Sequence, residues 1–195
     1  MSTPAPAALQ RLREQFARLA PLSDAAWNRF TPLVEPVEYA RNELLISAGQ
    51  VEGHIHFLTA GLVRVFVNKD GKEICLDFAF EDEFTSSYAS FLTRQPSQVT
   101  LQALADTQTL RFRHDRLAQL YDESPEAERV GRRIAEQLYL RKTGREISFL
   151  TRTATERYGD LLRQHPALVQ TIPVKYLASY LGIEPESLSR IRRAF

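Results

Sequence analysis

The chain has 195 residues, of which 44% are hydrophobic and 25% charged, and its formal net charge is +1. That composition fits one large or two small globular domains and excludes a disordered or fibrous protein. A single cysteine, Cys75, excludes an intrachain disulfide framework and an iron-sulfur cluster held by several thiolates of one chain, so it is expected to be a small core hydrophobe.

No apolar run reaches the roughly 20 residues of a membrane span, so no membrane partner is expected. The N-terminal MSTPAPAALQRLREQFARL lacks an apolar core with a small-residue cleavage site, and the expected location is cytoplasmic. The near-neutral total conceals an asymmetry. Residues 1–125 carry 12 Lys and Arg against 16 Asp and Glu, whereas residues 126–195 carry 13 against 8. A basic C-terminal third suits contact with a polyanion.

In chain order, Leu9, Leu12, Phe16 and Leu19 recur at spacings of three and four, predicting an amphipathic helix over 7–20. Ser23 can cap a second short helix whose Asp24 favours the positive end of the helix dipole. From Val37 to Phe112 the pattern becomes short apolar segments broken by Gly, Asn and Asp. Val63, Val65 and Val67 alternate with Arg64 and Phe66. After the turn at Asp70-Gly71, Ile74, Leu76, Phe78 and Phe80 occupy every second position, predicting a tight β-hairpin. Further strands are expected around 44–48, 55–58, 99–103 and 109–113, with glycines 49, 53 and 61 at corners. Together they predict a compact barrel or jelly-roll-like domain.

Ser124-Pro125-Glu126 then reads as a helix start. Val130, Ile134 and Leu138 recur every four residues, with Ile147 and Leu150 further on. A helix this long on a small domain is expected to form a dimer seam, the alternative being that it lies back on its own β-domain. A third helix is expected over 154–164, ending before His165-Pro166. In the last segment Val174, Leu177, Ala178 and Leu181 predict the apolar face of a short helix stopped by Gly182. A second helix follows from Pro185, with Leu188 and Ile191 inward. Two short helices about a glycine turn, the second ending in arginines, form the arrangement that places a reading helix in the DNA major groove.

This segment, IPVKYLASYLGIEPESLSRIRR, resembles the helix-turn-helix of the cyclic-AMP receptor protein/FNR (Crp/Fnr) family of regulators. Together with TRQPSQVTLQALADT it is especially similar to the short regulators of Bacteroidetes-type bacteria. The resemblance implies an α+β chain in three parts. These are an N-terminal β-roll of the cyclic-nucleotide-binding jelly-roll type with its leading helices (1–124), a long dimerisation helix (125–150) and a C-terminal helix-turn-helix domain (151–195). It implies a homodimeric, non-enzymatic, sequence-specific regulator that binds double-stranded DNA and engages RNA polymerase, with no cofactor. The family's base-reading Glu and Arg fall on Glu186 and Arg190. Ser187 and Ser189 are candidates for phosphate or base contacts, and Lys175, Arg192 and Arg193 for phosphates.

In members that bind cyclic AMP, a Gly-Glu pair and a later Arg-Ser/Thr pair hold the ligand. The aligned positions here are Ser86, Ser87, Ser97 and Gln98, and none matches. A different effector or none is therefore expected, with Arg94 a surface residue. A second class of function rests on His54 and His56, which share one strand face and suggest a metal-dependent cupin-like enzyme. The carboxylate such a site wants is missing from the following Phe57 to Gly61.

Overall fold

The computed structural model describes residues 3–195. Two compact units emerge, one made of Met1–Val65 with Phe78–Gln137 and the other of Phe66–Asp77 with Leu138–Phe195. Among the described residues, no helix is long and apolar enough to cross a membrane.

The first unit opens with helix α1 (Pro6–Leu19) and helix α2 (Asp24–Phe30), the latter capped by the Ser23 hydroxyl, which accepts from the Ala26 N–H at 3.2 Å. Strands β1 (Glu35–Tyr39), β2 (Leu44–Ile46), β3 (His54–Ala60), β4 (Val63–Lys69) and β5 (Lys72–Ala79) follow. After β6 (Phe84–Thr85) come the short helix α3 (Tyr88–Thr93), β7 (Thr100–Ala103), β8 (Thr107–Arg113) and helix α4 (His114–Glu123). The strands form two four-stranded sheets, ordered β1-β8-β3-β6 and β2-β7-β4-β5. Asp70 and Gly71 both adopt positive φ, 54° and 78°, the primed turn that matches the right-handed twist of hairpin strands.

Alternation along β3 and β8 explains how this unit buries its core. Side chains at every second position point to one face. On one face Phe57 and Phe112 meet Phe84 and the helix side chains Phe16 and Phe30, with Phe57 and Phe84 ring centres 5.0 Å apart and Phe16 and Phe30 4.8 Å apart. Leu58, offset by one residue, joins Ile46, Val63, Ala79 and Leu101 in the second cluster, which links the two sheets. Each fully buried aromatic or aliphatic side chain contributes on the order of 2 kcal/mol. Arg64 is buried too, its Nε donating to Gln102 Oε1 at 2.8 Å, so β4 is covered on both faces.

Helix α5 (Pro125–Thr151) begins at Ser124, whose hydroxyl accepts from the Ala127 N–H at 3.3 Å. Its stripe differs from the sequence expectation. Ala127, Val130 and Ile134 are buried in the first unit and cannot serve as an outward seam, and Gly131 lies so close to Tyr121 that an added Cβ would come within 2.4 Å of its hydroxyl. The exposed apolar residues lie further on: Tyr139, Leu140, Ile147 and Leu150, the last 80% exposed. The second unit continues with α6 (Ala154–Gln164), α7 (Pro166–Thr171), α8 (Val174–Leu181) and α9 (Pro185–Arg192).

Candidate nucleic-acid interface

The helices of the second unit are set by local capping. Thr153 and Glu156 form a reciprocal cap on α6: the Thr153 hydroxyl accepts from the Glu156 N–H, and the Glu156 carboxylate accepts from the Thr153 N–H at 2.8 Å. His165 ends α6, and Pro166 starts a further helix, α7, because proline is well suited to the first helical position. Sequence reading took His165-Pro166 only as a stop.

Helix α8 stops at Gly182, whose φ of +69° is the left-handed conformation. The Ile183 N–H reaches back to the Ala178 carbonyl at 3.0 Å, closing the last turn. A side chain at 182 would be strained by that φ and would also bring a Cβ to 2.8 Å from the Phe149 ring. Pro185 then opens α9 at its first turn. Leu177, Ala178 and Leu181 from α8 and Leu188 from α9 are fully buried, joined in the unit's core by Tyr158, Leu161, Val169 and Ile172. Val174 does not join them; it is 37% exposed.

This core leaves one side of α9 open. Glu186, Ser189, Arg190 and Arg193 are exposed, with Glu186 and Arg190 four residues apart on the same helical face. Ser187 and Arg192 are half-buried. Arg192 turns towards its own domain, its Nη2 donating to the Val169 carbonyl at 3.2 Å. The Ser189 hydroxyl donates to the Pro185 carbonyl at 3.1 Å, and the Lys175 ammonium lies 4.5 Å from the centre of the Tyr176 ring. Of the seven residues proposed from sequence, Glu186, Arg190 and Arg193 are therefore the best placed to leave the surface and meet a ligand.

Two arginines that sequence reading did not single out hold the α8 end of this arrangement. Arg157 Nη2 donates to the Leu181 carbonyl at 2.7 Å and Arg145 Nη2 to the Tyr180 carbonyl at 3.1 Å. Both guanidinium groups lie over the Phe149 ring, 4.4 and 4.7 Å from its centre. Positive charge at a helix C-terminus is favourable, and stacking on an aromatic face adds to it.

In the first unit, three of the four positions aligned with the family's nucleotide-holding residues, Ser86, Ser87 and Ser97, are engaged by neighbouring groups. The buried Glu52 carboxylate accepts from the His54 N–H at 2.9 Å and the Ser87 N–H at 3.3 Å. Its pKa is raised by burial, an effect that those backbone donors partly offset. The Ser97 hydroxyl lies 2.7 Å from the Ser87 hydroxyl and 2.6 Å from the Val99 carbonyl, and Ser86 donates to the His54 carbonyl. Gln98 is exposed. Arg94 is exposed, as expected of a surface residue, and its Nη1 also donates to the Glu52 carbonyl at 2.5 Å.

The histidine pair has no metal-site geometry. Among the described residues, no three His, Cys, Asp or Glu side chains gather to hold a metal ion. His54 and His56 lie with ring centres 6.0 Å apart, and Arg111 acts on both, a charge that opposes cation binding.

A family model described as a cyclic nucleotide-binding domain matches residues 36–124. Solved structures share the fold over more of the chain. The c-di-GMP responsive global regulator CLP of Xanthomonas campestris is 19% identical with a TM-score of 0.67, covering 88% of this chain and 91% of its own. FixK2 of Bradyrhizobium japonicum is 16% identical at a TM-score of 0.70, with 83% of each chain covered. A regulator of the crp/fnr family from Eubacterium rectale is 16% identical at 0.69, covering 91% of this chain and 87% of its own. No curated protein matches the chain by sequence. The match to the cyclic nucleotide-binding domain model thus comes with a fold shared with these solved structures.

Proposed function

We propose that the protein is a homodimeric, sequence-specific DNA-binding regulator of the Crp/Fnr type and not an enzyme. Its parts are a β-roll over 1–124, a dimerisation helix over 125–150 and a helix-turn-helix over 151–195. The observation that carries this reading is the α8–Gly182–α9 pair, packed through Leu177, Ala178, Leu181 and Leu188, with Glu186 and Arg190 side by side on the open face. A carboxylate can accept from cytosine N4, and a guanidinium can bind guanine O6 and N7 bidentately. Lys175, Arg193 and, after release from Val169, Arg192 would neutralise phosphates, with Ser187 and Ser189 flanking. RNA polymerase is the partner through which such a regulator would act, and the cytoplasm the place. An effector of the β-roll, if the protein has one, is not cyclic AMP, because Glu52, Ser87 and Ser97 already satisfy one another there. The test is to sequence the duplexes retained from a random pool, with and without added cyclic AMP. A selected pseudo-palindrome indifferent to the nucleotide is expected. Failure to retain any duplex would remove the regulator reading, and a cyclic-AMP-dependent selection would overturn the reading of the pocket.

The dimer would form along the second half of α5, where Leu140, Thr143, Ile147 and Leu150 recur at three and four residues, the spacing of a two-helix seam. An Ile147→Asp variant is expected to run as a folded monomer, since an unpaired charge in an apolar seam is costly. Ile134→Asp is expected to destabilise the fold instead, because Ile134 is buried within its own chain. Light scattering with circular dichroism checks both. A wild type that is monomeric at tens of micromolar would end the dimer proposal.

A further inference from the structure

The tip of the β4–β5 hairpin belongs to the same compact unit as the helices that carry the reading face. β5 is an edge strand of its sheet, so its outward N–H and C=O groups need partners. They find them on α8 and α5. The Cys75 N–H donates to the Ser179 hydroxyl at 2.9 Å, and that hydroxyl lies 3.3 Å from the Glu73 carbonyl, positioned to donate to it. The Cys75 carbonyl accepts from Arg145 Nη2 at 3.5 Å, and the Asp77 carboxylate pairs with Arg141 at 3.2 Å. Three alternate residues of one strand edge, 73, 75 and 77, are thus held by three side chains of the helical part. Covering an edge would account for one such contact. It does not account for Arg145, which joins the Cys75 carbonyl to the Tyr180 carbonyl at the end of α8 while lying 4.8 Å from the centre of the Tyr180 ring.

We propose that Ser179 and Arg145 are positioning residues for DNA recognition: they clasp α8 to the hairpin tip, so that α9 is presented in one pose before DNA arrives. This rests on the regulator reading above. A dimer that must seat two reading helices on one palindrome loses affinity when each helix is free to wander, because the ordering must then be supplied by binding. A single half-site makes no such demand. Neither residue lies on the open face of α9, so the clasp bears on pose and not on base contact.

The experiment compares wild type, Ser179→Ala and Ser179→Thr on a full palindrome and on a half-site duplex, with amide hydrogen exchange read at Cys75. Ser179→Ala is expected to speed exchange at Cys75, to weaken palindrome binding roughly tenfold and to leave half-site affinity unchanged. Ser179→Thr keeps the hydroxyl and should restore both. Equal losses on the two duplexes, or no loss on either, would overturn the proposal while leaving the regulator reading intact. Unchanged exchange at Cys75 would show that the clasp is not formed in solution and would overturn it as well. A wild type that binds neither duplex would remove the regulator reading, and the clasp's role with it.

Discussion

Arg190→Ala is expected to weaken binding to the preferred palindrome by about 1 to 3 kcal/mol and to relax base choice at one position of each half-site. The reason lies in how α9 is held. Leu188 is fully buried, and Glu186 and Arg190, one turn apart, share the exposed side. A guanidinium there can offer two parallel donors to one guanine edge, and truncation removes both without disturbing the core. Arg193, the capping residue just after α9, is exposed. Arg193→Ala should lower affinity for all sequences alike and reduce the salt slope by about one, because a phosphate contact releases counterions without reading bases. The measurement is affinity for specific and scrambled duplexes over a salt series. Equal losses on both duplexes for Arg190→Ala would take that residue out of base reading.

His56 should make the protein acid-sensitive. Its ring is 1% exposed, and neither ring nitrogen has a hydrogen-bond partner. Burial, with smaller contributions from His54 and Arg111, pushes its pKa down to about 3 from an ordinary 6.5. The unfolded chain therefore takes up this proton at a higher pH than the folded one. Stability from the neutral ring is complete above about pH 6.5 and is lost as pH falls from there towards 3. At pH 5 the loss from this group is about 2 kcal/mol. His54 is lowered by burial as well and acts in the same direction, whereas Glu52, whose pKa is raised, acts oppositely. Comparing wild type with His56→Leu isolates the one group: the difference in unfolding free energy between pH 8 and pH 5 should shrink by about 2 kcal/mol in the variant. Parallel pH profiles for the two proteins would show that His56 takes up its proton at the same pH folded or unfolded.

What was legible in the sequence was local. The Asp70-Gly71 turn, the Ser23 and Ser124 caps and the Ala154–Gln164 helix each depend on residues within one or two turns, and each is found in the structure. The open face of α9 was legible too, because helical spacing alone separates Leu188 from Glu186 and Arg190. The stripe expected to face outward, Val130 and Ile134, is buried, for a physical reason. Apolar residues of α5 lie on both sides of the polar run 141–146, but Val130 and Ile134 are buried whereas Leu140, Ile147 and Leu150 are exposed. Sequence periodicity reports that a face is apolar and not which surface it meets. Arg64 illustrates the same gap, since its partner Gln102 is 38 residues away. The Arg145 and Arg157 pair and the Ser179 clasp are likewise long-range, and no spacing rule brings them together. For Glu52, a lone acidic residue before Gly53 carried no local sign that it would close the segment around Ser87 and Ser97.

The placement of one aromatic residue gives the first unit an optical signal of its own. Trp27 is the chain's sole tryptophan, and it lies in the first unit, edge-on to Phe16 at 6.2 Å with the Arg13 guanidinium 5.7 Å from its ring centre. Emission excited beyond tyrosine absorption therefore follows the loosening of that unit alone, while ellipticity also follows the helices from α6 onward. If the two units melt independently, the two probes give separate midpoints in a denaturant titration, and a binding partner that steadies only the helical unit moves one midpoint and leaves the other in place.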